Sequence, residues 1–174
     1  SSVFKEQLGD IPVYGIEAHP AAAKAVKGIM DVTHAAVVGD SALESVSFYL
    51  RRGKSMASSI HSRGSSSDKE IEVPAITLDR FFEDKQLQGK RTWLYMDCEG
   101  CELGAVQGGE LAIKFIDWIQ LEVKATYCSR TTWPLSDQVL PYIESKGFEL
   151  VNDYRRTRGG RAGNGDVLLR RIEQ

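Results

Sequence analysis

Long apolar runs are missing from this chain of 174 residues, and no stretch approaches the roughly 20 residues that a membrane-spanning helix needs. Cysteine is scarce and odd in number, with 3 residues, which excludes a disulfide framework as the organising device and makes a reducing, cytoplasmic setting the expectation. An excess of one charge is missing too. The formal net charge of -2 gives the chain as a whole no electrostatic pull towards nucleic acid or a membrane surface. The opening residues Ser1 to Glu6 lack the basic-then-apolar layout of a signal peptide. What remains, 42% hydrophobic and 26% charged residues, describes one globular domain over 1–174 with a core and a polar surface.

The most informative stretch runs from Trp93 to Leu103. Trp93-Leu94-Tyr95-Met96 reads as a buried strand, Asp97-Cys98-Glu99-Gly100 as an acidic turn, and Glu102 to Gln107 as the start of a helix. In open α/β sheets ligands gather at such C-terminal strand ends, where the strand-to-helix loops face a common crevice. A second strand, Trp118 to Val123, also delivers a carboxylate near its end. Asp97, Glu99 and Glu122 therefore converge if the two strands are neighbours.

The rest of the chain alternates in the same α/β manner. Ile11 to Glu17 reads as a short strand ending in an acid, Pro20 opens a helix through Val26 with Gly28 as its stop, and Ala35 to Val38 is a strand closed by the turn Gly39-Asp40-Ser41. Val46 to Tyr49 and Ile71 to Ile76 alternate like half-exposed strands, and the serine-rich Ser55 to Asp68 between them is either a loop over the ligand edge or a plain linker. Thr77 caps a helix that places Leu78, Phe81 and Phe82 on one face. After a long connection, Thr126 to Leu135, a helix runs from Ser136 to Lys146, delayed or kinked by Pro141 and closed by Gly147. Phe148 to Val151 and Asp166 to Leu169 form a final hairpin whose tip carries Arg155, Arg156, Arg158 and Arg161.

This order of motifs resembles the FkbM-type family of S-adenosylmethionine-dependent methyltransferases. The matching pieces are Tyr14-Gly15-Ile16-Glu17-Ala18-His19-Pro20, Ala35-Ala36-Val37-Val38-Gly39-Asp40, Val73 to Asp79, and Ile119 to Val123 followed later by Gly147-Phe148. The most specific is Leu94 to Leu103 with Val106-Gln107-Gly108-Gly109, similar to the family's Asp-x-Glu-Gly-x-Glu-x-x-x-Leu-x-Gly signature. The resemblance implies a class I methyltransferase, Rossmann-like fold: a doubly wound, mostly parallel sheet with an antiparallel C-terminal strand. It also implies methyl transfer from S-adenosylmethionine, commonly to a hydroxyl oxygen of a sugar or small metabolite. The family's glycine-rich cofactor turn, which follows its first strand, has no counterpart before Tyr14, so the chain is expected to be N-terminally incomplete. Two rival readings stand beside it: a non-catalytic binding domain without that turn, and an RNA-associated protein using the Arg155 to Arg161 tip.

Within the resemblance, Glu17 would accept hydrogen bonds from the cofactor ribose, or else cap the Pro20 helix; Asp40 and Ser41 would meet the adenine end, or form a self-bonded turn. Asp97 and Glu122 suit the acceptor side, holding a hydroxyl proton or a hard divalent cation such as magnesium. Alternatively Asp97, Glu99 and Glu102 stabilise the N-terminus of the following helix. Cys98 and Cys101, despite their metal-like spacing, read as small core residues, since only Cys128 and 3 histidines remain as partners. His19 and His61 are candidates for the cofactor and acceptor sides, or solvated loop histidines. A small-molecule or glycan acceptor is the expected partner, and an exposed sheet edge would add self-association.

Overall fold

The computed structural model describes residues 11–51, 58–62, 67–123, 136–155, 157–158, 161–162 and 165–173. In chain order these form β1 (Tyr14–Ile16), α1 (Pro20–Val26), β2 (Asp31–Thr33), β3 (Ala36–Val37), β4 (Ser45–Leu50), β5 (Lys69–Ile76), α2 (Leu78–Asp84) and β6 (Thr92–Met96). There follow α3 (Glu102–Gln107), a 3₁₀ turn (Ala112–Phe115), β7 (Ile116–Val123), α4 (Ser136–Ser145), β8 (Phe148–Asp153), β9 (Thr157–Arg158), β10 (Arg161–Ala162) and β11 (Gly165–Arg171). The architecture is α/β with mixed sheets, consistent with a methyltransferase-like fold.

The largest sheet has the order β6-β7-β11-β8, with β6 and β7 parallel and β11 antiparallel to both its neighbours. β7 alternates strictly over its second half: Ile119, Leu121 and Val123 are buried, while Trp118, Gln120 and Glu122 are half-buried on the opposite face. α3 and α4 cover the buried face, where Ala105, Val106, Val139 and Ile143 meet Leu121, Val167 and Leu169 in one cluster. The adjacency of β6 and β7 is the condition on which the convergence of their carboxylates depends.

Three smaller sheets accompany this one, the smallest being the antiparallel pair β9-β10. β1 pairs in parallel with β2, and β5 sits between β3, to which it is parallel, and β4, to which it is antiparallel. The strand β2 has no counterpart in the sequence reading, because three residues of mixed polarity carry no periodicity. The described residues thus form separate hydrogen-bonded sheets rather than one continuous doubly wound sheet. α4 runs from Ser136 through Pro141 without a break, so the helix is not delayed. The connection over 126–135 lies outside the described residues, as do Cys128 and half of the serine-rich stretch, residues 55–57 and 63–66.

Glycine contacts fix how the first half meets the second. A Cβ on Gly108, at the end of α3, would lie 2.4 Å from the Val38 carbonyl oxygen, and one on Gly39 would lie 3.1 Å from that of Gly104. The turn after β3 therefore rests directly on α3 with no room for a side chain at these positions. Asp79 ties the same region together from below, its carboxylate accepting the Leu111 and Ala112 N–H groups of the 3₁₀ turn at 2.9 and 2.7 Å.

Candidate functional site

The acidic turn is built by two residues in the left-handed region, Glu99 (φ 52°) and Gly100 (φ 109°), between the end of β6 and the start of α3. Gly100 adopts this conformation freely, but a glutamate does so only when its surroundings hold it. Glu102 is buried and turns back to accept the Gly100 N–H at 3.0 Å. Its capping role is the helix-end alternative realised for one of the three acids. Glu99 and Asp97 stand in a different relation.

Register explains where they stand. Met96 pairs with Leu121, so Asp97, the next residue, comes beside Glu122. Acid oxygens of Asp97, Glu99 and Glu122 lie within 4.8 Å of one another. On the other side of β7, Asp166 of β11 pairs with Glu122, and its carboxylate accepts the Gln120 side-chain N–H at 3.1 Å. Tyr95, two residues before Asp97 on the same face of β6, joins this group: partial burial, followed by the charges of Asp97, Asp166 and Glu122, raises its phenol above the ordinary range. Asp166 and Tyr95 were missed by sequence reasoning. The period-2 alternation that sends Gln120 and Glu122 to one face, combined with the hairpin, was the signal that would have found them.

The other side of the site belongs to β1. Ile16 at its end, with Glu17 and His19 just beyond, lines a cavity of about 260 Å³ together with Asp97, Cys98 and Glu99. Glu17 Oε1 accepts the His19 N–H at 2.7 Å, and His19 in turn caps α1, its Nδ1 accepting the Ala21 N–H at 3.2 Å. Glu17 thus follows part of the helix-end reading while keeping its place in the cavity wall. Asp40 is exposed, accepts the Ala42 N–H at 2.9 Å in a self-bonded turn, and like Ser41 is not part of that wall. His61 reaches the acidic turn, with Nε2 3.0 Å from the Gly100 carbonyl oxygen.

Cys98 bonds the Cys101 thiol, and that contact, together with burial and the neighbouring Glu102, pushes its own thiol well above the usual range. It stays protonated, which suits packing and opposes a role as nucleophile or metal ligand. In the final hairpin Arg155 is held by Asp153, with Nη2 2.5 Å from the carboxylate.

The convergence of Asp97, Glu99 and Glu122 is what the signature stretch implies for neighbouring strands, and Glu17 lines the same cavity as Asp97 and Glu99. Over residues 2–150 the chain matches the model of the methyltransferase FkbM domain. The chain belongs to the FkbM methyltransferase family. No curated protein and no solved structure matches it. The FkbM match includes Glu17, Asp97, Glu99 and Glu122, while Asp166, the added acid, lies beyond it. Among the described residues of this FkbM methyltransferase no helix is long and apolar enough to cross a membrane.

Proposed function

We propose that the chain transfers the methyl group of S-adenosylmethionine to a hydroxyl oxygen of a sugar or small-molecule acceptor. The observation that carries this reading is the single cavity lined by Glu17 together with Asp97 and Glu99. Glu17 retains Oε2, beyond the Oε1 that binds His19, as an acceptor for ribose hydroxyls. An attacking hydroxyl must lose its proton as the carbon–oxygen bond forms; Asp97 on the cavity lining, with Glu122 beside it, would take that proton. The all-oxygen donor set of Asp97, Glu99 and Glu122 also fits a hard cation such as magnesium, which would acidify the same hydroxyl. Asp40 and Ser41 would contribute only if a ligand extends beyond the cavity towards the exposed turn. A Rossmann-like fold and a cytoplasmic setting belong to the same proposal.

A second reading, a methyltransferase-fold binding domain that lacks the cofactor turn, is favoured by one observation: β1 and β6 belong to separate sheets across the cavity. Calorimetric titration with S-adenosylmethionine and S-adenosylhomocysteine separates the two. Binding that Glu17→Ala weakens at least about tenfold, the loss of a charged hydrogen-bond acceptor, supports the enzyme. A folded chain that binds neither molecule selects the second reading.

A further inference from the structure

We propose that Ser59 and His61 are positioning residues that hold the acidic turn in its site geometry, so that a strap from the serine-rich stretch completes the carboxylate group. This rests on the proposed role of that group in methyl transfer. Among the described residues Ser58 and Ser59 are the buried serines, at 7% and 1% exposed. The Ser59 backbone is tied to β4, with Tyr49 N–H donating to the Ser59 carbonyl at 2.8 Å, and its hydroxyl accepts the His61 N–H at 3.1 Å. The same hydroxyl donates to the Glu99 carbonyl oxygen at 2.7 Å.

His61 takes the next carbonyl. Its Nε2 lies 3.0 Å from the Gly100 oxygen, and because a carbonyl only accepts, that nitrogen carries the proton. The strap thus grips the two consecutive residues that sit in the left-handed region, one of which bears a carboxylate of the site. A glutamate held at φ 52° relaxes when its restraints are removed. Relaxation at Glu99 would swing its carboxylate away from Asp97 and Glu122, while leaving the Glu17 wall untouched. A buried serine that merely satisfied its own loop would show no such selectivity.

The test compares Ser59→Ala, Ser59→Thr, His61→Ala and His61→Gln with the unaltered chain, by amide hydrogen exchange and by binding of Mn²⁺ alone as a probe of the carboxylates. Ser59→Ala and His61→Ala should each speed exchange over residues 98–102 about tenfold, the effect of one lost hydrogen bond, with exchange in β7 and β11 unchanged. Mn²⁺ affinity should fall by a similar factor while affinity for S-adenosylhomocysteine is retained, and the hydroxyl of Ser59→Thr and the side-chain N–H of His61→Gln should restore both. Unchanged exchange in the turn, equal acceleration throughout the core, or a threonine variant as impaired as the alanine one would overturn the proposal. Failure of the unaltered chain to bind Mn²⁺ removes the cation from the proposed function, and the exchange result alone then decides the strap.

Discussion

On one face of the sheet formed by β6, β7, β11 and β8, Ile119, Leu121, Val167 and Leu169 are 0% exposed; on the other, Trp93 and Tyr95 are 60% and 59% exposed. The same strands make both faces, one residue apart. On the buried face side chains pack in one apolar cluster with α2, α3, the 3₁₀ turn and α4, where other apolar groups of like volume are tolerated. Across the backbone, Trp93 lies against Trp118 with ring centroids 6.4 Å apart, and Arg170 stands over the Trp118 ring at 5.9 Å. Further along that open face the aromatic rows give way to Gln120, Asp166, Glu122 and Asp97. Stability and chemistry are thus separated by the pleat of the strand, and the carboxylates are placed by a core that they do not touch.

The largest break in this contrast should come from the buried face. Leu121→Ala removes a fully buried side chain and is expected to cost about 2–5 kcal/mol, against about 0.5–1.5 kcal/mol for Gln120→Ala, which loses one hydrogen bond to Asp166. Thermal unfolding followed by circular dichroism would resolve the pair, at about 2–4 °C per kcal/mol for a chain of this size. Equal losses at the two positions would mean that the open face carries as much of the fold as the buried one.

A smaller effect sharpens the contrast between glycines that share a helix. Gly108→Ala drives a methyl into the Val38 carbonyl and should destabilise by about 1–3 kcal/mol, whereas at Gly104 the nearest atom stands 3.5 Å from the new Cβ. There the helix interior should gain about 0.5–1 kcal/mol from alanine. The test is the sign: Gly104→Ala raising the unfolding midpoint and Gly108→Ala lowering it. Two losses would show that the turn after β3 sits tighter on α3 than these distances allow.

Local chemistry explains how much of this was legible. Thr77 caps its helix as expected, its Oγ1 accepting the Arg80 N–H at 3.2 Å, because a cap and its helix lie within four residues. The convergence of Asp97 and Glu122 was readable for a similar reason: both follow apolar runs, and parallel neighbours end at the same edge. Asp166 and Ser59 were missed. Asp166 reaches the site through an antiparallel register set by a distant hairpin, and Ser59 lies 40 residues from the carbonyl it binds. Nothing in a serine-rich composition marks which hydroxyl will be buried.

The least perturbing probe of the open face is the Tyr95 phenol. Partial burial and then the charges of Asp97, Asp166 and Glu122 hold its proton on, so its folded pKa lies above the unfolded one. The sign follows from linkage: the neutral phenol's contribution to stability is complete below the unfolded phenol pKa and disappears as pH rises through the folded one. The difference absorbance of the chain against Tyr95→Phe, followed through alkaline pH, isolates this one phenol among 6 tyrosines. Asp97→Asn should lower the midpoint and Leu121→Ala, acting on the far face, should leave it in place as long as the chain is folded. A midpoint indifferent to Asp97 would separate Tyr95 from that carboxylate, leaving burial and the charges of Asp166 and Glu122 as the causes.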